Sequence, residues 1–306
     1  MKNYAFSILF LFLLFGVTSY SLHAKEKKIY VITSLTTLAD FAKQIGKDKV
    51  YVESLSKGTQ DVHYIEPRPS FVSKLRQADM VVINGLAFDV WINPLLDAAR
   101  NTQIIPGSKG FVDASNGVKP LEAPQGKVSM AHGELHPLGN PHYLMDPVRA
   151  MTSLKNILDA LVRISPENAN YFRSNYNDYI KTINTKIVEW NKAMLPHKGE
   201  PIVTYHKSWT YFLAAYNLHE FGTIEAKPAI PPSPSHINQL TKAILANKVK
   251  VIIKEPYFPN KFPELIAKET NSTLLVLPEW VGGAPETDTY IKLMDYLVNK
   301  VREALR

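Results

Sequence analysis

The chain has 306 residues, 45% of them hydrophobic, which is enough for one large domain or two lobes with their own cores and excludes a disordered protein. It contains no cysteine, which excludes disulfides and a thiol for lipid attachment. The formal net charge is +7, but the lysines are spread without a concentrated basic arm, so a solvated surface is favoured over nucleic-acid binding.

Residues 1–24 are predicted to be a secretory signal peptide. Lys2 precedes an apolar run of about 13 residues, from 5 to 17, and small and polar residues follow it. A membrane anchor is the weaker interpretation, because a spanning helix needs roughly 20 apolar residues. Cleavage is expected after Ser21 or Ala24. We therefore expect an exported, soluble protein of the periplasm without a lipid anchor.

After the signal, short apolar runs alternate with amphipathic runs, which predicts an α/β fold with mostly parallel sheets. The first half has predicted strands at 29–32, 50–55, 80–84 and 103–105 and predicted helices at 36–45, 69–77 and 90–99. The second half has predicted strands at 202–205, 220–224, 249–254 and 273–277 and predicted helices at 208–216, 237–246, 263–270 and 289–305. These similar layouts predict an N-terminal lobe at 25–150 and a C-terminal lobe at 197–306.

The segment between the halves, 151–196, is a predicted linker of a different kind. Neither glycine nor proline occurs between Pro166 and Pro196, and apolar residues alternate four and three positions apart. Ser165 suits the N-cap and Pro166 the first helical position. The pattern predicts a helix of about 28 residues, roughly 42 Å long. We expect this single long rigid helix to join the lobes; the alternative is a core-packed helix inside one domain.

Three of the nine histidines occupy comparable loops. His63 follows the strand at 50–55, His142 lies in a loop leading to a helix near Pro147, and His206 directly follows the strand at 202–205. Ligands of open α/β sheets bind where such loops converge, at the carboxyl ends of strands. Any one of these histidines could be a cap or a surface residue, but three predict a nitrogen-rich metal site in the interlobe cleft. Neutral imidazoles suit zinc, with a carboxylate or water as the fourth ligand.

The other histidines are interpreted as exposed or as local hydrogen-bonding groups, with one open question. The loop at 122–139 contains glycine, proline, two acids and two histidines. A plain connecting loop is favoured there, and a weak auxiliary zinc site is the alternative. The histidines set aside are His23, His197, His219 and His236, and those of the loop are His132 and His136.

Several motifs resemble one protein family along nearly the whole chain after the signal. They are DVHYIEPRPSFVSKLRQADMVVINGLAFDVW, GNPHYLMDPVRA, VTYHKSWTYFLAAYNL and EPYFPNKFPELIAKETNSTLLVL. The family is the metal-receptor class of periplasmic solute-binding proteins, which deliver zinc or manganese to ABC importers. The resemblance implies two (βα) lobes joined by one long helix. It also implies metal ligation by His63, His142 and His206; manganese receptors tend to have glutamate at the third position, so histidine favours zinc.

The fourth ligand is where the chain departs from the family's pattern. Family members usually have an aspartate after the last strand, and this chain has Pro278 there. Glu279, one residue on, is the predicted fourth ligand, with water and Glu255 as alternatives. Because metal-bound histidines usually donate their other N–H to a carboxylate, Glu66 and Asp146 are candidates for that role. Helix capping is an equal interpretation for Glu66 and the favoured one for Asp146.

The sequence therefore predicts a high-affinity zinc receptor that is not an enzyme. Its expected partners are the Zn²⁺ it transports and the membrane permease of an ABC importer, and it is expected to be a monomer. A manganese or iron receptor of the same fold is the first alternative. A zinc-dependent hydrolase with an open coordination position is less favoured, because no H-E-x-x-H motif or paired carboxylate motif is present. A structural or adhesion role would leave the histidines without a shared purpose.

Overall fold

The computed structural model of the protein describes residues 27–124, 136–227 and 230–306. The predicted signal peptide, His23, His132 and Glu134 lie outside these residues. Within the described ranges, no helix has the length and apolarity needed to cross a bilayer.

The first lobe is built on a four-stranded parallel sheet. The strands are β1 (Ile29–Thr33), β2 (Val50–Ser54), β3 (Met80–Ile83) and β4 (Phe111–Asp113), in the spatial order β2-β1-β3-β4. Its helices are α1 (Thr36–Gly46), α2 (Pro69–Gln77) and α3 (Asn93–Ala99). The predicted strand at 103–105 is wrong. Ile104 is buried, but hydrogen bonds from its amide to Asn101 and from Gly110 to Gln103 fold this segment into turns, and the strand begins at Phe111.

The second lobe repeats this topology. Its strands are β5 (Pro201–Thr204), β6 (His219–Thr223), β7 (Val251–Lys254) and β8 (Thr273–Val276), in the order β6-β5-β7-β8, and all pairs are parallel. Its helices are α6 (Thr210–Ala215), α7 (Pro234–Asn247), α8 (Lys261–Thr270) and α9 (Tyr290–Ala304). The predicted fold class, two α/β lobes with parallel sheets, is confirmed.

Two further helices lie between the two sheets along the chain: α4 (Pro147–Ile164) and α5 (Ala169–Met194). The 26 residues of α5 span roughly 39 Å, and a 3-10 turn at Pro166–Asn168 precedes them. This helix contacts α1 and α4 on the first lobe's side and α9 on the second lobe's side. One continuous buried cluster includes residues of all these helices. The predicted long connecting helix is confirmed, whereas the lobe boundaries at 150 and 197 stay predictions.

Asp40 joins three helices at the seam between the lobes. Its side chain is buried on α1, and Oδ2 accepts hydrogen bonds from the amide of Tyr290 on α9 (2.8 Å) and from the hydroxyl of Tyr179 on α5 (3.4 Å). Burial raises the pKa of this carboxyl above its ordinary value, although the hydrogen bond from the Tyr290 amide opposes the shift.

We expect Asp40→Asn to change how the stability of the protein depends on pH. An acid whose pKa is raised in the folded state favours folding below its ordinary pKa, and that contribution is lost as pH rises through the raised pKa. Asparagine keeps an acceptor oxygen for the Tyr290 amide but carries no charge. The free energy of unfolding of the wild type, relative to the variant, should therefore fall from pH 4 to pH 7. Urea unfolding across this range measures it, and a constant difference would contradict the prediction.

The two lobes also meet through backbone alone. Gly58, in the loop between β2 and His63, lies against the segment after β8: a Cβ added at Gly58 would be 2.4 Å from the carbonyl oxygen of Val281. A Cβ added at Gly283 would be 2.6 Å from the carbonyl oxygen of Gly58. Only residues without a side chain allow this approach. The glycines therefore bring a loop of the first lobe and the last loop of the second lobe into direct contact.

Candidate metal centre

The three predicted histidines meet in the cleft between the lobes. Their candidate ligand atoms all lie within 4.8 Å of one another. Their ring centroids are 5.3 Å apart for His63 and His142, 5.4 Å for His63 and His206, and 5.5 Å for His142 and His206. The side chains are 1–5% exposed. This spacing is small enough for one ion to contact all three imidazoles.

Each histidine is positioned by the end of a strand or by a short turn. His63 lies in a 3-10 turn at Val62–Tyr64, and the side chain of Asp61 accepts from its amide (3.0 Å). His142 immediately precedes the 3-10 turn Tyr143–Met145, and His206 follows β5 by two residues. Two of the clustered histidines therefore come from the first lobe and one from the second, as the parallel topology predicts.

All three imidazoles have a carboxylate at Nδ1. Asp61 pairs with His63 (2.7 Å), Glu225 pairs with His206 (2.7 Å), and Oε1 of Glu279 contacts Nδ1 of His142. An ionised carboxylate can only accept hydrogen bonds, so wherever the paired acid is ionised, Nδ1 donates and the lone pair of the neutral ring is on Nε2. The buried Nε2 atoms of His63 and His142 have no hydrogen-bond partner within the described residues. This is the arrangement expected of imidazoles prepared for a metal ion.

The electrostatic surroundings of the imidazoles differ. Burial, together with the neighbouring His63 and His206, lowers the pKa of His142 well below its ordinary value. Burial also acts to lower the pKa of His206, but the hydrogen bond to Glu225 and the charges of Glu255, Glu225 and Glu279 outweigh it and raise that pKa. A proton therefore competes with a metal ion for the imidazole of His206 more strongly than it does for the imidazole of His142.

Aromatic side chains enclose the cluster on one side. The ring of Phe88 packs edge-on against His63 (4.6 Å between centroids) and His142 (5.2 Å), and Trp280 stacks on His142 (6.4 Å). The indole N–H of Trp91 donates to the carbonyl of Val62 (3.0 Å), which holds the turn that contains His63. These contacts restrict the ring orientations and help to bury the cluster.

Glu279 and Glu255 are both fully buried beside the histidines. Oε2 of Glu279 accepts from the hydroxyl of Tyr257 (3.0 Å), while Oε1 is engaged with His142. Burial is the main cause that raises the pKa of each of these two carboxyls, and the charge of Glu279 adds to the shift of Glu255. Glu279 lies at the site as predicted, and its role as a ligand stays a prediction.

Of the two acids considered as partners of the histidines, Glu66 needs correction, whereas Asp146 has its favoured role as a helix cap. Glu66 is exposed, and Asp61 rather than Glu66 accepts from Nδ1 of His63. Asp146 caps α4, because its side chain accepts from the amides of Val148 (2.8 Å) and Arg149 (3.4 Å). Sequence reasoning missed Asp61 and Glu225. The signal for Asp61 was available, since an Asp two residues before a histidine can bond its amide in an Asx turn.

His136 lies next to the cluster. Its ring centroid is 5.5 Å from that of His63 and 6.2 Å from that of His142, and its buried Nε2 has no hydrogen-bond partner in the described parts of the chain. Burial and the neighbouring imidazoles lower the pKa of His136 to about 2. The favoured interpretation, a plain connecting loop, therefore leaves the position of this side chain unexplained.

The chain is similar to known metal receptors along almost its whole length. Residues 31–304 match the family described as "Zinc-uptake complex component A periplasmic" (ZnuA). The high-affinity zinc uptake system protein ZnuA of Bacillus subtilis is 26% identical over 295 residues, covering 94% of this chain and 91% of the relative. The manganese ABC transporter substrate-binding lipoprotein PsaA of Streptococcus pneumoniae is 26% identical over 310 residues, covering 97% and 96%. The iron-binding protein YfeA of Yersinia pestis is 25% identical over 281 residues, covering 90% and 86%.

Solved structures show the same fold. A crystal structure of ZnuA superposes with a TM-score of 0.76 at 22% identity, covering 92% of this chain and all (100%) of that chain. A manganese-bound periplasmic metal-binding protein from Candidatus Liberibacter asiaticus gives a TM-score of 0.74 at 22% identity, covering 91% and 100%. The relatives are solute-binding proteins and not enzymes, as predicted. The chain thus belongs to the ZnuA family, the periplasmic metal-binding receptors that serve as substrate-binding proteins of ABC transporters.

Proposed function

We propose that this protein is a high-affinity zinc receptor that binds Zn²⁺ between its lobes and presents it to the membrane permease of an ABC importer. The observation that carries the proposal is the convergence of three imidazoles whose Nδ1 atoms are all held by carboxylates. Neutral imidazole nitrogens at about 2.0–2.1 Å are typical zinc ligands. The proposed ligands are His63, His142 and His206, with Glu279 as the sequence-predicted fourth.

The choice of zinc over manganese or iron rests on the ligand set of this chain. Relatives at similar identity are named for zinc, manganese and iron. Manganese prefers carboxylate and carbonyl oxygens, whereas three imidazoles favour zinc. A manganese or iron receptor of the same fold is the second candidate, and the names of those relatives are the observation that favours it.

The proposed location is the periplasm, without a lipid anchor, and the proposed state is a monomer. The family description includes the word periplasmic, and several relatives are named as lipoproteins. The absence of cysteine from this chain supports the unanchored form, because no thiol is present to carry a lipid.

The decisive experiment is a metal competition. The purified protein would be stripped with a chelator, exposed to equal zinc and manganese, desalted and analysed for metal content. We expect one zinc per chain and little manganese. A preference for manganese would instead favour the second candidate, and no retained metal would contradict both.

Glu225→Gln should weaken zinc binding and also change its pH dependence. Loss of a carboxylate that holds a ligating histidine typically costs about 10- to 100-fold in metal affinity. In the wild type, zinc must displace a proton from His206, whose pKa is raised, so affinity should fall as pH drops through that raised pKa. Without the carboxylate, the pKa of His206 is lower, and the fall in affinity should occur at lower pH.

Chelator competition from pH 5 to pH 8 would measure both effects of Glu225→Gln. Glu303→Gln, at an exposed position near the end of α9, is the control and should match the wild type. A variant that is weaker at every pH by the same factor would mean that Glu225 only supports the local structure.

A further inference from the structure

Lys254 is a buried lysine at the end of β7, an interior strand of the second sheet. It is only 1% exposed, although an ammonium group carries three donors and lysine is almost never fully buried unless it is paired. Its Nζ donates to the carbonyl oxygens of Glu255 (2.9 Å) and Phe258 (2.8 Å). Both acceptors are backbone groups of the loop that connects β7 to α8, so the buried ammonium closes this loop.

The loop after β7 has few amides with which to hold its own shape. Pro256 and Pro259 carry no amide hydrogen. Within the loop, the amide of Phe258 donates to the carbonyl of Glu255 over 3.3 Å, which is long for a hydrogen bond of this kind. The bonds from Lys254 are shorter and reach the first and last residues of the same turn. The lysine therefore supplies restraint that the proline-containing backbone lacks.

The same loop carries two aromatic side chains that reach the metal site. The hydroxyl of Tyr257 donates to Oε2 of Glu279 (3.0 Å). The ring of Phe258 stacks on that of Tyr205, with 4.3 Å between centroids, and lies 5.8 Å from the imidazole of His206. Tyr205 directly precedes His206 in the chain. The position of the loop therefore constrains both second-lobe residues that are proposed as ligands.

We propose that Lys254 is a positioning residue that holds the second lobe's half of the site in the geometry of a small, four-coordinate ion. The inference rests on the proposed function, because it concerns the selectivity of that same site. Zinc takes four ligands in a tetrahedron, whereas manganese suits an octahedron of oxygen ligands. A fixed loop keeps Glu279 and His206 from moving outward to admit additional water ligands. Lys254 thereby favours zinc without touching the ion.

The charge of the ammonium acts in the opposite direction. A positive charge in the second lobe repels a metal ion, so loss of that charge alone would strengthen the binding of zinc and manganese alike. Loss of the two hydrogen bonds instead frees the loop, which should weaken zinc binding and let the site expand. The direction of the change in affinity therefore separates positioning from electrostatic repulsion.

Lys254→Met tests the proposal, because methionine is unbranched, of similar length and without donors. We expect the Kd for zinc to rise at least about tenfold, as is typical when a residue that supports a metal ligand is lost. The Kd for manganese should change less, so the preference for zinc should fall. The visible spectrum of the Co²⁺-substituted variant should lose intensity, because octahedral Co²⁺ absorbs more weakly than tetrahedral Co²⁺. Lys250→Met, at an exposed lysine just before β7, is the matched control and should leave all three unchanged.

A chemical rescue separates the amine from the rest of the side chain. Because the chain contains no cysteine, Lys254→Cys introduces a single thiol, which 2-bromoethylamine alkylates in the unfolded protein before refolding. The product carries an amine at the same reach as lysine, with sulfur in place of one methylene. We expect the aminoethylated protein to recover zinc preference and the Co²⁺ spectrum, whereas unmodified Lys254→Cys should resemble Lys254→Met. Wild-type protein taken through the same treatment is the control.

Three results would overturn the inference while leaving the proposed function intact. The first is Lys254→Met with wild-type affinities and an unchanged Co²⁺ spectrum. The second is weaker binding of both metals by the same factor, and the third is tighter binding of both. An aminoethylated protein that folds but keeps the altered preference would also contradict the inference.

A second variant covers the case in which Lys254→Met and Lys254→Cys do not fold. The double variant Tyr257→Phe with Phe258→Leu removes the hydroxyl and the ring by which the loop reaches the site, at two half-buried positions. A reduced preference for zinc is expected in it, and wild-type preference would overturn the inference. If the wild-type protein retains no zinc at all, the proposed function fails, and the inference fails with it.

Discussion

His206→Ala is expected to weaken zinc binding by roughly 10²- to 10³-fold. Structural zinc sites with four ligands contribute about 10–16 kcal/mol, so one ligand accounts for about 2.5–4 kcal/mol, and every 1.4 kcal/mol is about tenfold in Kd. His206 is the proposed ligand from the second lobe, so its loss would also remove the contact by which zinc is proposed to bridge the lobes. Competition against a chelating dye at pH 7.5 would measure the change.

The control for His206→Ala is His219→Ala, which removes an exposed histidine from the neighbouring strand β6. Both variants should unfold at the temperature of the metal-free wild type to within a few degrees, which would show that the lobes are intact. Wild-type zinc affinity in His206→Ala would mean that the three histidines do not act together, and the proposed site would be wrong.

The second large effect is expected from the double variant His206→Glu with Glu225→Gln, which should shift the metal preference from zinc toward manganese. A carboxylate at position 206 replaces a nitrogen ligand by the oxygen ligand that manganese prefers. The substitution of Glu225 is needed because Glu225 lies 2.7 Å from Nδ1 of His206 and would repel a new carboxylate. We expect the ratio of the two dissociation constants to change at least about tenfold, or roughly 1.4 kcal/mol.

The single variant His206→Glu provides the matched comparison. It should bind both metals more weakly than the double variant, because Glu225 and the buried Glu255 and Glu279 surround the new carboxylate with negative charge or hold it protonated. Equal metal preference in the wild type and the double variant would show that residue 206 does not set the choice of metal.

The three clustered histidines could be predicted from the sequence because parallel topology is easy to recognise. Apolar strands alternate with amphipathic helices, so the loops after the strands must meet at one edge of each sheet. His63, His142 and His206 all follow that rule. The long helix was equally visible, since an uninterrupted apolar repeat does not depend on tertiary contacts.

The carboxylates at Nδ1 were harder to predict, because which acid reaches which imidazole depends on three-dimensional packing. Glu225 follows β6 and reaches His206 only because β5 and β6 pair in parallel. Glu66 is as close to His63 in sequence as many true partners, yet it points to solvent. The fourth strand was predicted at 103–105 instead of Phe111–Asp113 for a related reason. Ile104 is an apolar residue that is buried although it lies in a turn, and a short apolar run alone does not identify a strand.

The contact between Gly58 and the segment around Gly283 constrains how the two lobes can separate near these loops. Neither glycine has a side chain, so no rotamer change can open a passage between them. An ion that leaves between these loops must wait until the two backbones move apart, so for this route the opening rate would limit its release. In that case, zinc would be lost to a competing chelator at a rate that does not depend on the chelator concentration. The rate at which the two backbones separate would set it.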